Sequence, residues 1–249
     1  MSESSAPLHD LLFSGSHPEL TATDPELSEI LGNFIDAEVP ANCQLDRRTR
    51  LMAQLAGLLA CGALTEYRAL LDAALTAGVT PVEAKEIVYQ AIPYIGAGRA
   101  LDYLRASNEI LADRGIELPL PGQSTTTRET REGMGRAVRE EITGAERTAA
   151  MYDAAGADER HYQRFLSANC FGDYLTRGGI DIPTRELLTF AMLTALGGAD
   201  RQVKAHASAN LNIGNTRQQL LDVITVLLPF VGYPRSLTAL AAVNELTRP

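Results

Sequence analysis

An internal repeat constrains this 249-residue chain more than any other feature, because two copies of one unit must share a fold. The segment LDRRTRLMAQLAGLLACG, from Leu45, lies beside DIPTRELLTFAMLTALGG, from Asp181, with Thr49-Arg50 on Thr184-Arg185 and Gly62 on Gly197. After a one-residue gap the register resumes. Gly78 falls on Gly214, Thr80 on Thr216, Pro93 on Pro229, Gly96 on Gly232 and Arg99 on Arg235.

Each copy reads as helix, tight turn, helix, glycine stop, helix, Pro-Gly break, helix. Thr80-Pro81-Val82-Glu83 offers an N-cap hydroxyl, a proline where no N–H is needed and a reciprocal carboxylate three residues on. Thr216-Arg217-Gln218-Gln219 repeats the device with an amide. Gly78 and Gly214 suit the left-handed conformation that ends a helix. Alanine and leucine are abundant and alternating β-branched runs are scarce, so the fold class expected is all-α, two tandem helical units.

Four segments follow from the punctuation: an N-terminal extension over 1–23, a first unit over 24–117, a linker over 118–135 and a second unit over 136–249. The linker expectation rests on LPLPGQSTTTRETREG, rich in Pro, Gly, Ser and Thr. One or two further helices are expected between about Arg136 and Asp173.

Charge and cysteine usage narrow the function. The formal charge is −9, with no basic run able to track a phosphate backbone, so nucleic acid is not an expected partner. Cys43, Cys61 and Cys170 are too far apart for a disulfide framework or a zinc site, which fits a reducing cytoplasm. The first residues lack the basic start and apolar stretch of a signal peptide, and no membrane span is expected.

Glu186 and His206 are the candidate catalytic pair. Glu186 lies near the start of one helix, the chain reverses at Gly197-Gly198, and His206 lies on the returning helix. At about 1.5 Å per residue the two sit within roughly one helical turn in height, close enough for a carboxylate to orient an imidazole. Equally, such a histidine can be a satisfied core residue and such a glutamate a dipole contact. The first copy has Leu51 and Leu70 at these positions, so the unit does not need Glu or His there to fold.

The second copy resembles the carboxymuconolactone decarboxylase family. Arg185-Glu186-Leu187-Leu188, the Gly197-Gly198 turn, His206, Gly214 and Gly232-Tyr233-Pro234 arrive in that family's order, and Ser167–Tyr174 reads SANCFGDY as in tandem members. The resemblance implies an all-helical fold of the alkyl hydroperoxidase superfamily, assembled as trimers of two-unit chains. Redox relatives place a C-x-x-C motif before the shared histidine, but here those places hold Ala199 and Gln202, so dithiol chemistry is not expected.

The implied activity is a lyase without cofactor, acting on a small anionic, carboxylated lactone or related ring through Glu186 and His206. Arg177, Arg185 and Arg235 are candidates to bind the substrate carboxylate. Arg185 and Arg235 have counterparts in Arg50 and Arg99 and so also read as structural, whereas Arg177 does not. Cys170 reads as a small buried hydrophobe beside the site, or as the thiol of a peroxidase-like alternative. A non-catalytic oligomeric binding protein is the other alternative.

Overall fold

A computed structural model describes residues 18–248, so most of the expected N-terminal extension lies outside the described residues. The described residues are 78% helical and include no strand. The elements are α1 (Pro18–Thr23), α2 (Pro25–Gly32), a π-helical turn Asn33–Glu38, α3 (Val39–Ala41), α4 (Arg47–Cys61), α5 (Leu64–Thr76), α6 (Pro81–Ile95) and α7 (Ala97–Asp113). After the connecting segment come α8 (Arg131–Thr143), α9 (Ala145–Ala154), α10 (Arg160–Phe165), a π-helical segment Leu166–Leu175, α11 (Ile182–Leu196), α12 (Asp200–Asn212) and α13 (Arg217–Thr247).

The repeat is visible bond by bond. α4 and α11 are both N-capped by an aspartate, Asp46 and Asp181, whose side chains accept from Thr49 N and Thr184 N. α6 and α13 both open on the expected capping boxes at Thr80 and Thr216. The Pro-Gly breaks match too: Gly96 and Gly232 share a left-handed φ, +81° and +77°, which only glycine adopts at low cost. Arg99 donates to Ala60 O at 2.7 Å and Arg235 to Ala195 O at 2.6 Å, so each guanidinium satisfies a carbonyl at the C-terminal end of the central helix of its own unit, α4 or α11.

The two units do not have separate cores. Every residue of α4 from Leu51 to Ala60, and every residue of α11 from Arg185 to Ala195, is buried. Helices apolar all round belong at the centre of a protein. They pack against each other, and one apolar core runs through α4, α5, α6 and α7 of the first unit and α11, α12 and α13 of the second. α13 is long and apolar enough by composition to cross a membrane, but it breaks at Gly232, and Leu220, Val223, Val226 and Leu227 are fully buried in this core.

Residues 131–175 differ from the expectation. They form three α-helices and a π-helical segment, and α8 begins at Arg131, inside the stretch expected to be linker. Two glycines make a close contact here. A Cβ on Gly135 would lie 1.9 Å from Ser167 O, and one on Gly172 would lie 2.1 Å from Arg131 O, so two glycines let α8 and the π-helical segment touch backbone to backbone. Residues 118–130 are a fastened strap: Gly178 N donates to Gln123 O, Thr125 Oγ1 to Thr176 O and Thr126 Oγ1 to Gly172 O.

Candidate active site

Asp181 caps α11 and Pro183 sits in its first turn, which fixes where Glu186 leaves the helix. Glu186 is fully buried, and its Oε2 lies 2.8 Å from Nδ1 of His206 on α12. This engagement leaves Nε2 as the histidine's free ring nitrogen. The His206 side chain is 17% exposed and faces a cavity of about 480 Å3, so the pair consists of a dry carboxylate behind a ring that solvent can reach. Glu186 Oε1 is buried with no hydrogen-bond donor among the described residues, so His206 is the side chain that engages this carboxyl group.

Two asparagines hold the helices in register. Asn210 Nδ2 donates to Glu186 O at 3.0 Å and to His206 O at 2.7 Å. Asn215 Nδ2 donates to Asn210 Oδ1 and to Pro183 O, both at 2.8 Å. By the register of the repeat the first copy has Ala74 and Val79 here, both buried. Comparing the copies, which singled out Glu186 and His206, also carries the signal for Asn210 and Asn215.

The first unit contributes to the site through Tyr94 on α6. Its ring stands edge-on to His206, with centroids 5.9 Å apart and planes at 83°. The Tyr94 hydroxyl accepts from Thr189 Oγ1 at 3.3 Å and stands near the Cys170 thiol. Thr189 in turn accepts from Gln90 Nε2, and Gln90 Oε1 accepts from Arg185. Burial first, then Cys170 and Glu186 nearby, hold the Tyr94 phenol well above its ordinary range, so it stays protonated. No periodicity in the first copy points to Tyr94, because only the packing of α6 against α11 brings it there.

The arginines named from sequence do not line this cavity. Arg177 is gripped by Glu86, with Nε at 3.0 Å from both carboxylate oxygens and a terminal nitrogen at 2.9 Å from Oε1. Arg185 is fully buried and donates to Glu86, Gln90, Ile180 O, Arg177 O and Gly178 O. Arg235 is the helix-end brace already described. Cys170 is buried, and burial pushes its thiol up to about 12, with hydrogen bonding from Tyr94 opposing the rise. A thiolate is therefore scarce at neutral pH, which disfavours the redox alternative.

Other arginines stand where those were expected. The cavity is lined by Arg139, Arg147 and Arg201 together with His206, Phe171 and Gln202, and no Asp or Glu is in its wall. Arg139 is 2% exposed and pairs with no carboxylate among the described residues. Its guanidinium donates to the Gln163 side-chain and backbone oxygens and to Met151 Sδ, and lies over the Phe171 and Tyr152 rings. Desolvation lowers its pKa, the expected response of a cation removed from water without a counter-charge. Arg147 and Arg201 are exposed at the rim. These residues escaped notice because α8 and α9 have no counterpart in the first copy's pattern, and Arg201 lies in an ordinary charged first turn.

The carboxymuconolactone decarboxylase profile matches twice, over residues 25–109 and 160–245. The chain belongs to the carboxymuconolactone decarboxylase family. A 4-carboxymuconolactone decarboxylase from Acinetobacter baylyi is 30% identical over 118 residues, which is 47% of this chain and 87% of that relative. A Burkholderia xenovorans protein, whose crystal structure carries the provisional name gamma-carboxymuconolactone decarboxylase subunit, shares the fold end to end. Its TM-score is 0.54 at 18% identity, covering 97% of this chain and 96% of that one. Family membership supports a decarboxylase-like role.

The first unit's own version of the site has no Glu–His pair. Leu51 and Leu70 are buried in the core, and a hollow of about 230 Å3 in this unit is lined by Leu31, Ile35, Leu58, Ala63 and Glu66 together with Pro229 and Phe230 of α13. Phe230 holds the repeat position of Tyr94 and has no hydroxyl.

Proposed function

We propose that the second unit is a cofactor-independent carboxy-lyase acting on a small carboxylated lactone or a related unsaturated ring. The observation that carries this reading is Arg139: a buried guanidinium without a counter-ion, in the wall of the cavity that His206 faces. A substrate carboxylate placed there offsets the cost of the buried charge and meets a planar donor fork. Arg147 and Arg201 at the rim draw anions toward the cavity despite the chain's net charge of −9.

The chemistry needs no external electron sink. The bond between the ring carbon and the departing carboxylate breaks, carbon dioxide leaves, and the electron pair spreads into the unsaturated carbonyl as a dienolate. His206, charged and held by Glu186, gives a proton from Nε2 to the far carbon, and solvent returns that proton to the ring. Tyr94 and Asn210 are positioning residues, fixing the plane of the imidazole and the spacing of the two helices.

The test is turnover of 4-carboxymuconolactone, followed as release of carbon dioxide. Activity is expected for the unaltered protein. His206→Ala should lower kcat by at least about 10²-fold, with the melting temperature unchanged or higher. Arg139→Met should raise KM by about tenfold or more, the loss of one charge-assisted contact. Failure of the unaltered protein to release carbon dioxide from this or any related carboxylated lactone would end the lyase reading.

A further inference from the structure

A second cavity, of about 310 Å3, lies between α6, α7 and the strap 118–123 and is lined by Glu86, the partner of Arg185. Its charged wall is Lys85, Arg177 and Glu86. Glu86 is spent: both of its oxygens are engaged by Arg177, and Oε2 also accepts from Arg185. The buried Arg185 and the partly buried Arg177 therefore share one carboxylate, and a net positive charge remains beside the cavity.

Lys85 adds to it. Its ammonium is half-buried, donates to the neutral side chain of Asn108 and forms no ion pair among the described residues. Burial pulls its pKa down, as for a cation with no counter-charge. Lys85 and Arg177 both lie over the Tyr89 ring, at 5.9 Å and 4.9 Å from its centre. Facing these cations, Val82, Leu118, Pro119 and Leu120 supply an apolar wall. The strap that carries Leu118, Pro119 and Leu120 is pinned to the second unit by Gln123 and Thr125, so the cavity is built into the folded chain.

We infer that this seam between the units is a binding site for a small carboxylate with a flat apolar body, separate from the His206 cavity. Cations on one side and prolines and leucines on the other match an amphiphilic anion better than a bare inorganic one. The site also touches the catalytic helix. Arg177 and Arg185 close around one Glu86, and Arg185 precedes Glu186 in the chain. A carboxylate drawing Arg177 away from Glu86 redistributes the bonds that hold the start of α11.

This assignment does not rest on the lyase reading, and its test uses binding alone. Benzoate is titrated calorimetrically into the full-length protein and into Lys85→Met and Arg139→Met. Two classes of site are expected in the unaltered protein, one weakened roughly tenfold or more by Lys85→Met and the other by Arg139→Met. Benzoate ring protons should also show nuclear Overhauser contacts to the Val82 and Leu118 methyls in the unaltered protein, a result that stands even where a variant folds poorly. The inference is overturned by an isotherm that Lys85→Met leaves unchanged together with no such contacts. Displacement of benzoate from this site by an equal concentration of inorganic phosphate would overturn the ligand class.

Discussion

At the scale of single residues, the proposed function rests on how few partners surround certain groups. Glu186 is given one partner, His206, while its other oxygen is left without any; Arg139 is buried with only neutral acceptors. Tyr94 is the reverse, with its hydroxyl tied to Thr189. Tyr94→Phe removes that hydrogen bond and keeps the ring edge against His206. Expected is a loss of about 1 kcal/mol of stability and, through looser positioning of the ring, up to about fivefold in kcat at constant KM, read from steady-state kinetics and thermal melts. Cys170 gives a pH prediction. Its folded-state pKa of about 12 is above the ordinary 9.0, so in the window between these values the unfolded chain releases a proton that the folded one keeps. The thiol's contribution to stability is present in full below about pH 9 and is lost as pH rises toward 12. Native protein at pH 8 should leave Cys170 unmodified by iodoacetamide in peptide mass analysis, and denatured protein should not; rapid native labelling would contradict the buried, protonated thiol.

At the scale of elements, the same helix serves two purposes in the two copies. α5 and α12 are repeat equivalents, but Leu70 fills core space where His206 meets Glu186. Leu70→Ala should cost about 2–5 kcal/mol in denaturant unfolding while leaving the Glu186–His206 geometry in place, so activity per folded molecule should persist. α8 makes a complementary case. Gly135→Ala places a methyl against Ser167 O and the Gly172 backbone, and neither can move without shifting a helix. The expected loss is about 1–3 kcal/mol or more, with a lowered affinity for substrate because α8 carries Arg139. A neutral Gly135→Ala variant would mean that α8 and the π-helical segment do not approach this closely.

At the scale of the whole molecule, the shared core makes the tandem arrangement a single folding unit in which the first copy supports and completes the second. α4 packs on α11, and α6 delivers Tyr94 and Gln90 across the seam. The outer surface retains apolar side chains. Leu101 and Leu237, equivalent in the repeat, are 42% and 57% exposed, and Tyr162, Phe165 and Tyr233 are each more than half exposed. We propose that these faces meet in a trimer, as the family resemblance implied. Light scattering at micromolar concentration should return three times the mass of the 26.8 kDa chain; a monomer would count against it, and Leu101→Glu with Leu237→Glu should dissociate the assembly.

Local rules carried most of the architecture. Caps, glycine stops and Pro-Gly breaks depend on neighbours three or four residues away, so Thr80, Thr216, Gly96 and Gly232 could be assigned from their surroundings in the chain, and the repeat checked each assignment twice. The Glu186–His206 pairing was legible for the same reason, being a count of residues around one tight turn. What only the tertiary structure decided was everything that depends on contacts between distant elements. Arg177 looked available to a substrate because the first copy has no arginine at its position, yet Glu86, 91 positions away, occupies it. Gly135 looked like linker because a glycine's close contact leaves no local trace. Arg139 and Tyr94 became site residues only when α8 and α6 packed against α12 and α11, since burial, and with it the absence or presence of a counter-charge, is a property of the packed chain.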